Sequence, residues 1–143
     1  MRAQPTSESS FELDTTLPPE TGGEIGWKLL GPDGTYTTLA YDPNKRELFV
    51  DRTRSGNNGF SPQFSARTGA PLPALRGSLD LTILVDRSTL DVFAQRGQVA
   101  ITNLFYPPKG AVAPEFFARV DWAGRIAVER WDLRSSWLPT RRR

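Results

Sequence analysis

Two acidic–basic dipeptides and one further carboxylate are the residues whose types and spacing invite chemistry: Asp51-Arg52, Asp86-Arg87 and Asp91. A carboxylate accepts and a guanidinium donates, and hydrogen bonds to either are stronger than neutral ones. Such groups either pair across neighbouring strands and pin turns, or face outward toward a polar ligand. The sequence contains no His and no Cys. That removes the commonest general base, the commonest metal ligand and every thiolate site. A Ser-His-Asp or Cys-His arrangement is impossible within it. No two carboxylates stand in a pattern that assigns one as acid and the other as nucleophile. No loop clusters oxygen ligands as calcium requires, so neither metal nor cofactor is expected.

The stretch Ser78–Phe105 must position most of these groups. Leu79, Leu81, Ile83 and Val85 fall on alternate positions, the period of a strand with one buried face. Asp86-Arg87-Ser88-Thr89 interrupts the run. Leu90, Val92 and Ala94 resume it, Gln95-Arg96-Gly97 reads as a hairpin turn with Gly97 at positive φ, and Val99, Ile101 and Leu104 lie on the return strand. Asp91 stands between Leu90 and Val92, so it points away from the core.

Upstream, Ser10–Thr15, Glu24–Leu30, Thr35–Tyr41 and Arg46–Asp51 read as strands. Gly31-Pro32-Asp33-Gly34 and Asp42-Pro43-Asn44-Lys45 carry turn chemistry. Arg52–Ala74 is a long Gly/Ser/Pro/Asn-rich segment, read as a loop whose Phe60 and Phe64 cap the core or contact another domain. Downstream, Glu115–Val120 and Arg125–Leu133 read as the last strands, with Trp122 in the turn between them. Trp27, Trp131 and Trp137 are expected in the core or at an interface. No stretch has a convincing helical period. Short strands punctuated by Gly/Pro turns predict an all-β fold, a two-layer antiparallel β-sandwich of jelly-roll or concanavalin-like type.

The 143 residues suit one domain. The expected division is a disordered segment over 1–9, the sandwich over 10–135 and a basic tail over 136–143. Apolar residues make up 38% and charged residues 24%, a globular profile in which no apolar run approaches the ~20 residues of a membrane helix. The opening MRAQPTSESS has no apolar signal region. The net charge of +2 includes Arg141, Arg142 and Arg143; without them the remainder carries −1. The basic character therefore belongs to a tail, and no clustered basic face suggests nucleic acid. Neither a membrane nor a nucleic-acid partner is expected.

Two motifs, ELFVDRTRSG from Glu47 to Gly56 and LVDRSTLDVF from Leu84 to Phe93, resemble the C-terminal β-sandwich of glycoside hydrolase family 32, which contains invertases, levanases and inulinases. Phe60-Ser61-Pro62 and Ala70-Pro71-Leu72 fall between them in the family's order. Gly97, the Thr102-to-Pro107 stretch and Trp131-Asp132-Leu133 follow. The resemblance spans roughly 10–135, as one domain should. It implies a parent in which an N-terminal five-bladed propeller performs retaining hydrolysis with two carboxylates, while this sandwich accompanies it. Asp42-Pro43-Asn44 partly mimics the propeller's nucleophile motif but reads as a turn. The propeller's Arg-Asp-Pro and Glu-Cys motifs are absent, so the chain lacks the catalytic domain.

The resemblance further implies a module that either binds a terminal fructosyl unit of levan or inulin, or only docks on and stiffens the propeller, in a secreted parent enzyme. For sugar binding, carboxylates and guanidinium groups would hold vicinal hydroxyls and an aromatic ring would cover C–H surface. The residues carried over are Asp51, Arg52, Asp86, Arg87, Asp91, Phe93 and Trp122. The family has Glu where this sequence has Asp91, one methylene shorter.

Overall fold

The computed structural model describes residues 10–18, 23–56, 66–73, 77–104, 112–118 and 126–133. Among them are ten strands and no helix: β1 (Ser10–Leu17), β2 (Ile25–Leu30), β3 (Tyr36–Asp42), β4 (Glu47–Asp51), β5 (Arg67–Pro71), β6 (Leu79–Asp86), β7 (Thr89–Ala94), β8 (Val99–Leu104), β9 (Ala113–Ala118) and β10 (Ala127–Asp132). They form two five-stranded antiparallel sheets. The first runs β10-β1-β6-β7-β8 and the second β5-β4-β3-β2-β9.

Alternation explains the sandwich. On β6, Leu79, Leu81, Ile83 and Val85 are buried while the residues between them are not. Phe11, Leu13 and Leu17 on β1 and Leu90, Val92 and Ala94 on β7 complete that inner face. Opposite them lie Ile25, Trp27, Leu29, Leu39, Tyr41, Leu48 and Val50 of the second sheet. Trp27 is a core residue, its ring edge-on to Phe116 at 5.7 Å. Removing this apolar surface from water on both sheets at once is the main force holding the layers together.

The turns follow their residues. Asp33 Oδ1 accepts from the Thr35 amide at 3.2 Å and its hydroxyl at 2.6 Å, with Gly34 at φ 86°. Asp42 Oδ1 accepts from the Asn44 and Lys45 amides at 2.9 and 3.3 Å, so the Asp-Pro-Asn tripeptide closes a turn. Gly97 takes φ 85° as expected, but Gln95 and Arg96 are left-handed too, at 52° and 57°. The Gln95 side chain helps hold them there. Its Oε1 accepts from the Asp80 amide at 2.9 Å and its Nε2 donates to the Ser78 carbonyl at 3.3 Å.

The expectation for Arg52–Ala74 is overturned. The segment read as a loop from Arg52 to Ala74 contains β5, which pairs with β4 from Glu47↔Pro71 to Asp51↔Arg67. RTGAP shows no apolar alternation because this edge strand contributes little to the core. Its order comes from the β4 backbone and from Arg67, which pairs with Glu47 at 2.7 Å and stacks on Phe49 at 4.3 Å. Phe60 and Phe64 lie outside the described residues.

At the edge where β4 and β5 overlie β8, polar groups join the sheets. The Arg52 guanidinium Nη1 donates to the Leu104 carbonyl, and the Thr68 hydroxyl meets Asn103 Oδ1 at 3.1 Å.

Candidate functional site

The sequence-derived residues other than Trp122 divide between the two sheets' outer sides, with one between the layers. Asp51 is on the outer face of β4, where its Oδ1 accepts from the Thr53 amide at 2.9 Å and hydroxyl at 2.7 Å. This repeats the Asp33–Thr35 device, so the turn is pinned by Thr53. Arg52 is a correction to the expectation of outward guanidinium groups: it is 4% exposed. The parity that turns Val50 inward and Asp51 outward turns the next residue inward again. Burial pulls the Arg52 pKa down from its ordinary value. Its side chain is a clasp between the sheets.

Asp86 and Arg87 sit at the β6–β7 hairpin. Asp86 Oδ1 accepts from Ser10 Oγ on β1 at 2.8 Å, and the Thr89 hydroxyl donates to the Asp86 carbonyl at 3.1 Å. Arg87 is exposed, with φ 50°. Asp91 faces outward on β7 and is fixed by the Thr102 hydroxyl of β8 at 2.6 Å. Phe93, two residues on, shares that face and is 36% exposed. Trp122 lies outside the described residues.

Cross-strand register defines the surroundings. On the first sheet one outward row runs Trp131, Glu12, Leu84, Asp91, Thr102. The next runs Glu129, Asp14, Thr82, Phe93, Ala100. With Asp80 and Asp86 on the same side of β6, this face carries six carboxylates, and its described strand residues include no outward Lys or Arg. The exposed large apolar side chains among the described residues, Phe93, Leu104 at 50% and Trp131 at 44%, all belong to these same strands.

The outer face of the second sheet differs. Its central row reads Glu115, Lys28, Thr38, Asp51, Arg67. The adjacent row reads Phe117, Gly26, Ala40, Phe49, Gly69, with small residues between the two aromatics. Here lies a groove of about 660 Å³, into which Lys28, Thr38, Asp51 and Arg67 contribute polar groups and Tyr36, Phe49 and Phe117 contribute rings. The Lys28 ammonium stands 5.0 Å from the Tyr36 ring centroid and 5.4 Å from that of Phe117. Sequence reasoning named only Asp51 among these. Lys28 was detectable as the outward residue between Trp27 and Leu29; Arg67 was not, because its segment carried no strand signal.

A two-layer antiparallel sandwich with ligand-type groups on both outer faces is the class of module described above. Residues 2–130 match the family described as Glycosyl hydrolases family 32 C terminal, and the chain belongs to that family. It is 36% identical over 115 residues to a levanase of Bacillus subtilis (strain 168), covering 78% of this chain and 17% of the levanase. It is 33% identical over 105 residues to an extracellular exo-inulinase of Aspergillus niger, covering 72% of this chain and 20% of that protein. The crystal structure of exo-inulinase from Aspergillus awamori superposes with a TM-score of 0.79 at 26% identity, over 95% of this chain and 27% of that one. The chain thus spans about one-fifth or less of the curated relatives named here.

Proposed function

We propose that this chain acts as the non-catalytic C-terminal module of a fructan-active family 32 enzyme, contacting terminal fructosyl units of levan- or inulin-type chains. The observation that carries the sugar-contact reading is the Asp91–Phe93 pair. A carboxylate locked by Thr102 and a half-exposed ring stand side by side on the middle strand of a three-strand platform. A fixed acceptor beside an aromatic surface is the smallest set that can hold a hydroxyl and cover a C–H face. Asp86 and Arg87 stand at the end of the same hairpin. The relatives named as levanase and extracellular exo-inulinase support fructan as the sugar and a secreted parent.

Calorimetric titration with levan, inulin and short fructooligosaccharides tests this. Asp91→Ala is expected to weaken binding at this surface about tenfold, the loss of one charge-assisted hydrogen bond. Fructose release from levan by the pure chain would refute the non-catalytic role.

A second reading has its own support. Phe93, Leu104 and Trp131 give the first sheet an exposed apolar character of the kind that marks an interaction surface. On that reading the face docks on the catalytic propeller of the parent and binds no sugar. A well-folded chain giving no heat with any fructan favours it.

A further inference from the structure

From the groove on the second sheet we infer that it is a fructan-binding site in its own right, separate from the Asp91 surface and on the opposite side of the molecule. The inference rests on the fructan reading above for the identity of the sugar, and on the groove's own chemistry for its location.

Three properties select the ligand class. First, the groove interleaves signs. Lys28, Arg54 and Arg67 supply cations, Glu24 and Asp51 supply carboxylates, and Arg67 is already paired with Glu47. An anion would find acceptors facing it, and a cation would find donors. A neutral polyhydroxylated ligand finds both, because every hydroxyl donates and accepts. Second, the polar groups are held in place. Lys28 belongs to an interior strand paired on both sides and its ammonium packs against two rings, so its N–H donors are presented at a defined point. Among the described residues no carboxylate forms an ion pair with it. Thr38 is its direct cross-strand neighbour, and Asp51 is next in the row, with only Oδ1 engaged by Thr53. The backbone positions that carry donor, hydroxyl and acceptor therefore follow one another across three strands spaced about 4.8 Å apart. Third, about 660 Å³ falls within the range of small-ligand sites.

Lys28 is the central donor in this arrangement, Asp51 the acceptor, and Tyr36 and Phe117 the apolar flanks. A row of polar groups across the strands suits successive sugar units lying along it, whereas the Asp91–Phe93 pair offers room for one contact.

The test uses the full 143-residue chain and short levan and inulin oligosaccharides. Lys28→Met keeps the apolar stem and removes the charge; Thr38→Val keeps the shape and removes the hydroxyl. Each is expected to weaken the groove's affinity, Lys28→Met by about tenfold, with the circular dichroism spectrum unchanged. In an Asp91→Ala background the groove continues to bind. Amide chemical shifts, which need no variant, move at Lys28, Thr38 and Asp51 on titration. Because the ligand is neutral, affinity changes less than about twofold between low and physiological salt.

Wild-type-like binding in folded Lys28→Met and Thr38→Val, with shifts confined to β7 and β8, overturns the groove and leaves the Asp91 reading standing. Binding lost in Lys28→Met but intact in Asp91→Ala supports the groove and removes the Asp91 surface. Affinity that collapses with salt overturns the sugar assignment in favour of an anion. No binding of any fructan by the folded wild-type chain overturns both readings together.

Discussion

The two outer faces of this sandwich are built by the same rule and have different characters. Both consist of the residues left over when alternate positions go to the core. On the first sheet the leftovers are carboxylates with a few exposed apolar side chains. On the second they are lysine, arginine, threonine and aspartate set among aromatic rings, around a groove. The core imposes no chemistry on its outer surfaces; it only makes them rigid and fixes which residues align. Asp14 and Glu129, for example, are directly opposed on β1 and β10. That like-charged neighbour pair costs stability, and nothing in the inner packing requires it. In contrast, Arg67 on the second sheet meets Glu47 and the Phe49 ring and repays its position.

Two faces that share one core must unfold together, and the largest perturbations test that. Ile83→Ala on the first sheet and Leu39→Ala on the second each open a cavity in a fully buried position and should each cost about 3 kcal/mol. Urea unfolding of either should remain a single transition; separate transitions for the two sheets would break the comparison at its base. Arg52→Met removes the clasp to the Leu104 carbonyl and should cost about 2 kcal/mol, read as a lower urea midpoint.

A sharper contrast lies in two glycines of the second sheet. A Cβ on Gly26 would sit 2.2 Å from the Leu39 carbonyl oxygen and 2.6 Å from the Ala40 Cα. Backbone cannot step aside cheaply, so Gly26→Ala should destabilise by about 2 kcal/mol. At Gly69 the nearest atoms a Cβ would meet are those of the Glu47 carboxylate, at 2.6 Å to its carbon. That side chain can turn away, so Gly69→Ala should cost less than about 1 kcal/mol, chiefly through the disturbed Arg67 pair. Thermal melts of the two variants would rank them.

Smaller effects separate the faces electrostatically. Glu129→Gln relieves the opposition to Asp14 and should stabilise by about 0.5 kcal/mol, with the gain shrinking as salt is added. Tyr41 supplies a pH signature from the core side of the second sheet. Burial raises its pKa above 10.0, with Arg46 partly opposing and Asp42 adding to the rise. The folded state therefore holds this proton more tightly than the unfolded chain. Stability is unaffected below about pH 10 and falls as pH rises beyond it. Tyr41→Phe should flatten that alkaline decline in a stability–pH profile.

Much of this was legible in the residues. The outward position of Asp91 follows from Leu90 and Val92 beside it. The turn at Asp42-Pro43-Asn44 follows from a side chain that caps its own backbone. Even the burial of Arg52 has a trace in the chain, since it follows Asp51 by one step of parity. It was missed because β4 ends at Asp51 and parity carries no guarantee past a strand's end. The groove was not legible. Arg67 sits in RTGAP, whose strand character is supplied by the neighbouring β4 backbone rather than by any pattern of its own. Trp131 was expected in the core or at an interface; it stands exposed on β10, which rules out the core and leaves the interface.

The residues by themselves determined which side of each strand faces water, where the chain reverses and that two apolar layers would meet. Those are short-range matters, settled by a period of two and by the conformational limits of a few turn residues. Only the tertiary structure decided that Lys28, Thr38 and Asp51 share a row, that β1 lies between β6 and β10, and that Arg52 reaches across to β8. Register is a displacement between strands far apart in the chain. It is chosen by all the pairings and the common core at once, so no single stretch of sequence contains it.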